Sequence, residues 1–247
     1  MTRAFEYWLL TSRHAWATTL LSNVLNPVLF LAALGVGLGA LVDLGGLPYL
    51  TFVAPGLLAA TAMQIAAAEA GSPVRSALTW TKTYHAMVAT PLEVRDVLHG
   101  HLLWILLRVA TASALYAAVM AAFGAFRSPW ALLAVPAAVL TGMAFAAPIA
   151  AFAITQDRDL AFAALTRFAI VPMFMFSGTL FPVEQLPGAL ETIAYVTPLW
   201  HGVDLARDLS LGAADAGSAL LHAGYLAVWV AAGAVLATIT FRRRLHV

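Results

Sequence analysis

Apolar residues along this chain come in long unbroken runs, without the strict alternation of a half-buried strand or the one-sided period of a soluble helix. Windows of about 19 residues, the length that crosses roughly 30 Å of hydrocarbon at 1.5 Å per residue, place six such runs near 20–41, 49–69, 101–123, 130–153, 161–180 and 219–241. Most polar residues fall between them. The pattern predicts an all-α, polytopic membrane protein with six transmembrane helices.

The segments outside the runs carry patterns of their own. Residues 1–18 put Phe5, Trp8, Leu9 and Trp16 roughly on one helical face, with Arg3, Glu6, Arg13 and His14 around the rest. That is the pattern of an N-terminal amphipathic helix lying in the interface, or of a simple aromatic anchor at the membrane surface. Between the fifth and sixth runs, FSGTLFPVEQLPGALETIAYVTPLWHGVDLARDL (176–209) consists of two apolar half-segments broken by Pro182, Pro187 and Pro198 and carrying Glu184 and Glu191. Prolines and acids beside such apolar sequence are tolerated at a membrane only where backbone polar groups find water or protein partners. A re-entrant or interfacial helical hairpin over 181–217 fits best.

Composition agrees with the membrane reading: of 247 residues, 62% are hydrophobic and only 10% are charged, too apolar for a domain with a wetted surface. The net charge of +1 leaves no basic face to offset a phosphate backbone, so a nucleic-acid partner is not expected. Cysteine is absent, which removes disulfides, thiolate metal sites and a cysteine nucleophile. The start, MTRAFEYWLLTSRHAWATTL, lacks a compact apolar core followed by a small-residue cleavage site, so the N-terminus is expected to stay on the mature protein.

The distribution of charge sets an orientation. Arg3, Arg13, Arg75, Lys82, Arg95, Arg158, Arg242, Arg243 and Arg244 fall on one side and Arg127 and Arg207 on the other, nine against two, with Arg108 and Arg167 inside runs. The positive-inside rule then puts both termini in the cytoplasm of a multi-pass cell-membrane protein. The one long cytoplasmic connection is 71–99, where Trp80, Tyr84, Met87 and Leu92 mix with Lys82, Arg95 and Asp96. Aromatics one helical turn apart suggest a short helix ending before Pro91 with its apolar face offered to a soluble partner. A loop folded back onto the membrane surface is the alternative.

Several chemistries are missing. GVGLG at 35–39 sits inside an apolar run with no strand before it and no complete GxGxxG, so Gly35 and Gly39 read as close helix contacts. Lys82 is the only lysine and follows Thr81 rather than a glycine, so no phosphate-binding loop of the GxxxxGK[ST] type exists. There is no GxSxG and no HExxH, and His99 and His101 point to different helix faces. No catalytic residue, metal site or cofactor is expected in this chain. Glu69, at the end of the second run, and Arg108, about two turns into the third, are within reach of one another if the arginine snorkels. They are expected to pair, because either charge alone in hydrocarbon costs roughly 2.5–3.5 kcal/mol.

Five stretches taken in order carry a resemblance: FVAPGLLAATAM (52–63), YHAMVATPLEVRDVLHG (84–100), FSGTLFPVEQLP (176–187), PLWHGVDLARDL (198–209) and the closing FRRRL. Together they resemble an ABC-2 type exporter permease, most closely the nodulation lipooligosaccharide exporter permeases and more loosely the daunorubicin-resistance exporter permeases. The resemblance implies a pathway built from two permease copies and driven by two copies of a separate ATP-binding subunit, which would hold the ATP and Mg. It implies that residues 2–18 and a coupling helix at about Thr81–Leu92 dock on that subunit, with Trp80, Tyr84, His85, Met87, Thr90, Pro91 and Leu92 as coupling residues. It also implies an extracellular gate of Phe181, Pro182, Glu184, Pro187, Pro198 and His201.

Within the runs polar residues are few, among them Asn23, Asn26, Gln64, Thr111, Ser113, Thr141 and Thr166. An amphipathic or lipid-linked cargo, lipooligosaccharide-like or drug-like, is therefore expected in preference to an ion or a free sugar. Two other readings compete. One is a secondary transporter working alone. The other is a membrane-embedded enzyme using boundary histidines and the Asp157-Arg158-Asp159 run, which is too short to build a two-carboxylate metal site unaided.

Overall fold

The computed structural model describes residues 2–12, 25–39, 47–157 and 159–245, nearly all of them helical and none in a strand. Arg13, His14, Trp16, Asn23 and Arg158 lie outside the described residues. In chain order the helices are α1 (Thr2–Ser12), α2 (25–38), α3 (Tyr49–Ala70), α4 (Ser72–Thr79), α5 (Thr83–Val88) and α6 (Val94–Ala122). A 3-10 turn (Pro129–Leu133) leads into α7 (Ala134–Ala153), and α8 (Asp159–Leu165) joins α9 (Val171–Phe176) through a π-helical turn (Thr166–Ile170). Then follow α10 (Gly188–Val196), α11 (Pro198–Leu211) and α12 (Ala216–Leu245).

Four helical runs are long and apolar enough to cross a membrane: Tyr49–Thr79, Val94–Ala122, Pro129–Ala153 and Ala216–Leu245. The other two apolar segments form shorter helices, Leu25–Gly35 and Leu160–Phe176. Both differ from a plain span in the same way, by a π-helical turn, Ala33–Leu38 in one and Thr166–Ile170 in the other. In the second the cause is readable: Pro172 cannot donate to the preceding turn, so the helix widens just before it.

Helix ends follow local chemistry. Glu93 and Asp96 form a capping box at the start of α6, with the Glu93 backbone N–H donating to Asp96 Oδ2 at 3.3 Å, which satisfies donors the helix leaves free. Pro198 opens α11 behind Thr197, whose hydroxyl accepts from the Trp200 N–H at 3.3 Å, and Gly212 closes it at φ 77°, a left-handed position that suits glycine.

α3 and α7 form the centre of the bundle, with α6, α11 and α12 around them. Their facing sides are built largely from alanine, among them Ala54, Ala59, Ala62 and Ala66 on α3 and Ala138, Ala146, Ala147 and Ala150 on α7, all buried. Small residues let helix backbones approach, the main source of packing energy where lipid is the solvent. Gly233 on α12 shows how close the approach is: a Cβ there would sit 2.4 Å from Pro148 of α7. Gly35 meets Leu50 of α3, and around Gly39 only its own preceding turn is close. The outer side of α12 is apolar and exposed at Val228, Val235, Leu236 and Ile239. α1, α5 and the C-terminal end of α12 share one end of the bundle, the α1 end; α10, α11 and the start of α12 share the other, the hairpin end.

Candidate functional site

At the α1 end, α1 lies along α6 because both surfaces are shaped for it. Ala4 is fully buried, and a Cβ on Gly100 of α6 would come within 2.6 Å of the Ala4 methyl. One turn on, Trp8 packs over His101 with ring centroids 4.2 Å apart. α5 enters the same cluster from the side. Tyr84 is fully buried, its hydroxyl is hydrogen-bonded to His101 Nδ1, and its ring lies 5.5 Å from Phe241 of α12 and 6.4 Å from Trp8. Burial holds the Tyr84 hydroxyl well above the ordinary phenol range, so it stays protonated. Four segments, α1, α5, α6 and α12, thus meet at one aromatic node.

The short helix expected at about Thr81–Leu92 is shorter, Thr83–Val88, because Lys82 ahead of it takes a left-handed conformation (φ 51°). That kink separates Trp80 from Tyr84. Trp80 is 74% exposed, whereas Tyr84 turns into the core and Met87 is only 9% exposed. The expectation that Tyr84 offers its side chain to a soluble partner is therefore corrected: its ring is covered by this chain's own helices. Outward on this segment are Trp80, Thr81, Lys82, His85, Ala86, Ala89, Thr90 and Pro91, with Leu92 half-buried. Between α1 and α5 lies an open cleft of about 500 Å³, lined by Arg3, Tyr7, Thr83, Ala86, Met87, Thr90, Pro91 and Leu92. The Tyr7 and Thr83 hydroxyls lie 3.4 Å apart at its floor, and Thr90 Oγ1 donates to the Met87 carbonyl at 2.6 Å. Nearby, Arg244 pairs with Asp157, whose carbonyl also accepts from Arg75 at 3.4 Å.

Inside the bundle, Arg108 Nη2 lies 2.9 Å from Glu69 Oε1, each side chain 20% exposed. Trp104, one turn before Arg108, donates from Nε1 to Glu69 Oε2 at 3.4 Å and presents its ring 5.8 Å from the guanidinium. A charge at this depth is tolerated when paired and hydrogen-bonded. The cluster ties the α1 end of α3 to α6.

At the hairpin end, α10 and α11 lie against the start of α12. Pro198 and His201 are buried, Phe181 and Pro182 half-buried, and Glu184 and Pro187 exposed, so the residues expected at the gate differ in exposure. His201 faces a residue from another helix: its Nδ1 is 2.8 Å from Nδ1 of His222, whose Nε2 lies 3.2 Å from Asp204 Oδ2. Tyr225 stacks on His201 at 3.8 Å, and Trp200 meets both imidazoles edge-on. Burial, reinforced by the neighbouring His222, pushes His201 down to about 4. Arg207 is the second anchor. It donates from Nη2 to the Gly178 carbonyl at 2.6 Å and from Nε to the Phe52 carbonyl at 3.2 Å, and it lies 3.9 Å over the Phe52 ring. Sequence alone identifies neither His222 nor Arg207 as a partner of these elements, since their contacts cross between helices far apart in the chain.

Among the described residues no group of three or more metal-ligating side chains converges. The arrangement is a helical membrane bundle with a cleft at one end and a helical hairpin at the other. Residues 7–211 match the family model described as ABC-2 type transporter. The chain is 33% identical over 237 residues to Nodulation protein J of Rhizobium leguminosarum bv. trifolii, covering 94% of this chain and 89% of that one. It is 31% identical to Nodulation protein J of Rhizobium meliloti (strain 1021) over 231 residues, 92% of this chain and 87% of the relative. A similar match, 31% over 231 residues with the same coverage, is found to Nodulation protein J of Bradyrhizobium diazoefficiens. With a cleft, an apolar helical bundle and a family match over most of its length, the chain belongs to the ABC-2 type transporter family and is a transmembrane subunit of such a transporter.

Proposed function

We propose that two copies of this chain form the membrane pathway of an ATP-driven exporter and that two copies of a separate ATP-binding subunit, holding ATP and Mg, dock on the α1 end. In this reading α2 and α8–α9 complete six crossings, the α1 end and both termini face the cytoplasm, and α10–α11 form a re-entrant lid on the outside of the cell membrane. Arg3, Arg75, Lys82, Arg95 and the run Arg242, Arg243 and Arg244 lie at the α1 end, which supports this orientation through the positive-inside rule.

The observation that carries the proposal is the cleft between α1 and α5, because its wall is continuous with the aromatic node. A partner filling it presses on α5, and Tyr84 passes that displacement to His101 of α6 and Phe241 of α12. Buried Tyr84 is then a transmission residue, and exposed His85, Thr90 and Pro91 the docking residues. Closing of the ATP-bound partner biases the bundle only through contacts that differ between its two states.

The cargo is amphipathic or lipid-linked, lipooligosaccharide-like or hydrophobic and drug-like, taken from the cytoplasm or the inner leaflet. The scarcity of charge at mid-membrane depth supports this. Export from proteoliposomes tests the reading. Movement of a fluorescent amphiphile should need ATP, this chain and its ATP-binding subunit together; transport by this chain alone without ATP would contradict it.

A further inference from the structure

Two cavities lie side by side along the face of α3 that looks toward α2 and α9. The smaller, about 110 Å³, is lined by Asn26, Thr61, Gln64, Tyr116 and Phe174 among others, and none of its lining side chains is charged. The larger, about 270 Å³, is apolar at Ala68, Phe162 and Val171 and shares Gln64 and Phe174 with the first. Gln64 thus stands between a recess whose lining is half polar and half apolar and a cleft that is almost wholly apolar.

Tyr116 makes the recess more than a gap in packing. Its side chain is 2% exposed, it comes from α6, and its hydroxyl has no hydrogen-bond partner among the described residues. Buried hydroxyls are nearly always partnered, and leaving one unpaired carries its full desolvation cost. Two carboxamides and two hydroxyls at membrane depth, with no charge among them, suit a neutral group that both donates and accepts hydrogen bonds. A carboxylate or ammonium entering there would meet no counter-charge.

We infer that the recess of Asn26, Thr61, Gln64 and Tyr116 is a cargo subsite for an uncharged hydroxyl- or amide-bearing head, and that the adjoining cleft takes the head's apolar chain. This rests on the exporter reading and narrows it to neutral-headed amphiphiles. The recess has room for a few waters at about 30 Å³ each, which matches an amide or a few hydroxyls at the head–chain junction. A whole oligosaccharide would extend beyond it.

The test uses the complete complex with its ATP-binding subunit in lipid nanodiscs and three photoactivatable probes with one shared alkyl chain: an N-acyl glucosamine, a fatty acid and a quaternary ammonium. The N-acyl glucosamine should label saturably in peptides of α2, α3, α6 or α9. Tyr116→Phe, which keeps the ring, should raise its half-saturating concentration roughly two- to tenfold, the range for one hydrogen bond, and Gln64→Leu should do the same. Equal labelling by the charged probes, or Tyr116→Phe indistinguishable from the parent, overturns the subsite. So does ordered water in the recess with no saturable labelling. ATP-driven export of the glucosamine probe is measured beside it. Export unchanged in both variants sinks the subsite and leaves the exporter reading standing; saturable, Tyr116-dependent labelling without ATP-driven export supports the subsite and counts against the exporter reading.

Discussion

The hydroxyl of Tyr84, on the six-residue helix α5, is hydrogen-bonded to Nδ1 of His101, on the 29-residue helix α6. It is a side-chain link from the surface helix α5 to a long helix of the bundle, made where neither group meets solvent. Tyr84→Phe leaves the packing and removes the bond, stranding a buried imidazole nitrogen at a cost of about 1–3 kcal/mol. The variant should show a lower Tm and weaker stimulation of the partner's ATP hydrolysis while still assembling with it. Thermal unfolding and ATPase assays on the purified complex check this; full stimulation in Tyr84→Phe would remove the node from the coupling route.

Glu69 and Arg108 should behave as one unit. Glu69→Gln or Arg108→Gln alone leaves a charge unpaired at membrane depth, at roughly 2.5–3.5 kcal/mol on insertion scales, whereas the double substitution leaves none. The loss of transport and stability in the double variant should therefore be smaller than the sum of the two single losses. Trp104→Phe, which loses the 3.4 Å bond to Glu69 Oε2 and part of a buried ring but strands no charge, should cost less than either single change. Additive losses in the double variant would sink the pairing.

How much of this was legible in the sequence differs by element. The four long helices follow from apolar run length, and the closeness of Glu69 and Arg108 from their depths in adjacent runs. The shortness of the other two apolar helices did not follow, because hydropathy windows register neither of their π-helical turns, only the second of which has a proline, Pro172, behind it. The inward turn of Tyr84 was hidden for a related reason: helical spacing puts Trp80 and Tyr84 on one face, but left-handed Lys82 breaks the helix between them. The His201–His222 contact and the reach of Arg207 to Phe52 join residues from different helices. No local pattern encodes them.

Arg207 ties α11 to α3, through a hydrogen bond to the Phe52 carbonyl and a guanidinium over the Phe52 ring, and to the segment after α9, through a hydrogen bond to the Gly178 carbonyl. Lysine cannot reproduce that planar fork, and bonds to charged groups contribute about 1.5–3 kcal/mol. Arg207→Lys should loosen the 176–183 segment. Thr179, fully buried, gives the readout: a Thr179→Cys probe in this cysteine-free chain should react with maleimide several times faster in the Arg207→Lys background. Equal rates would show that the hairpin is held elsewhere.

Acidification should loosen the same hairpin. His201 is held neutral to about 4, below the ordinary value near 6.5, so the unfolded segment takes up a proton before the folded one does. Stability is unaffected above the ordinary value and falls as pH drops from about 6.5 toward 4. The groups facing His201 are His222 and Tyr225 on α12 and Trp200 on its own helix, with Asp204 beyond His222. Labelling of Thr179→Cys measured from pH 7.5 to 5 should accelerate, and His201→Gln should flatten the profile. A flat profile in the parent chain would contradict this.

Two surfaces are assigned opposite sides of the membrane: the α1–α5 cleft for the ATP-binding subunit and the exposed side of α10 for the exterior. Because the chain has no cysteine, single cysteines can be placed at Thr90, on the cleft wall, and at Ile193, 61% exposed on α10. A short bifunctional crosslinker applied to membranes containing both subunits should join Thr90→Cys to the ATP-binding subunit and leave Ile193→Cys unjoined. Crosslinking through Ile193→Cys, with none through Thr90→Cys, would contradict the docking and the orientation together.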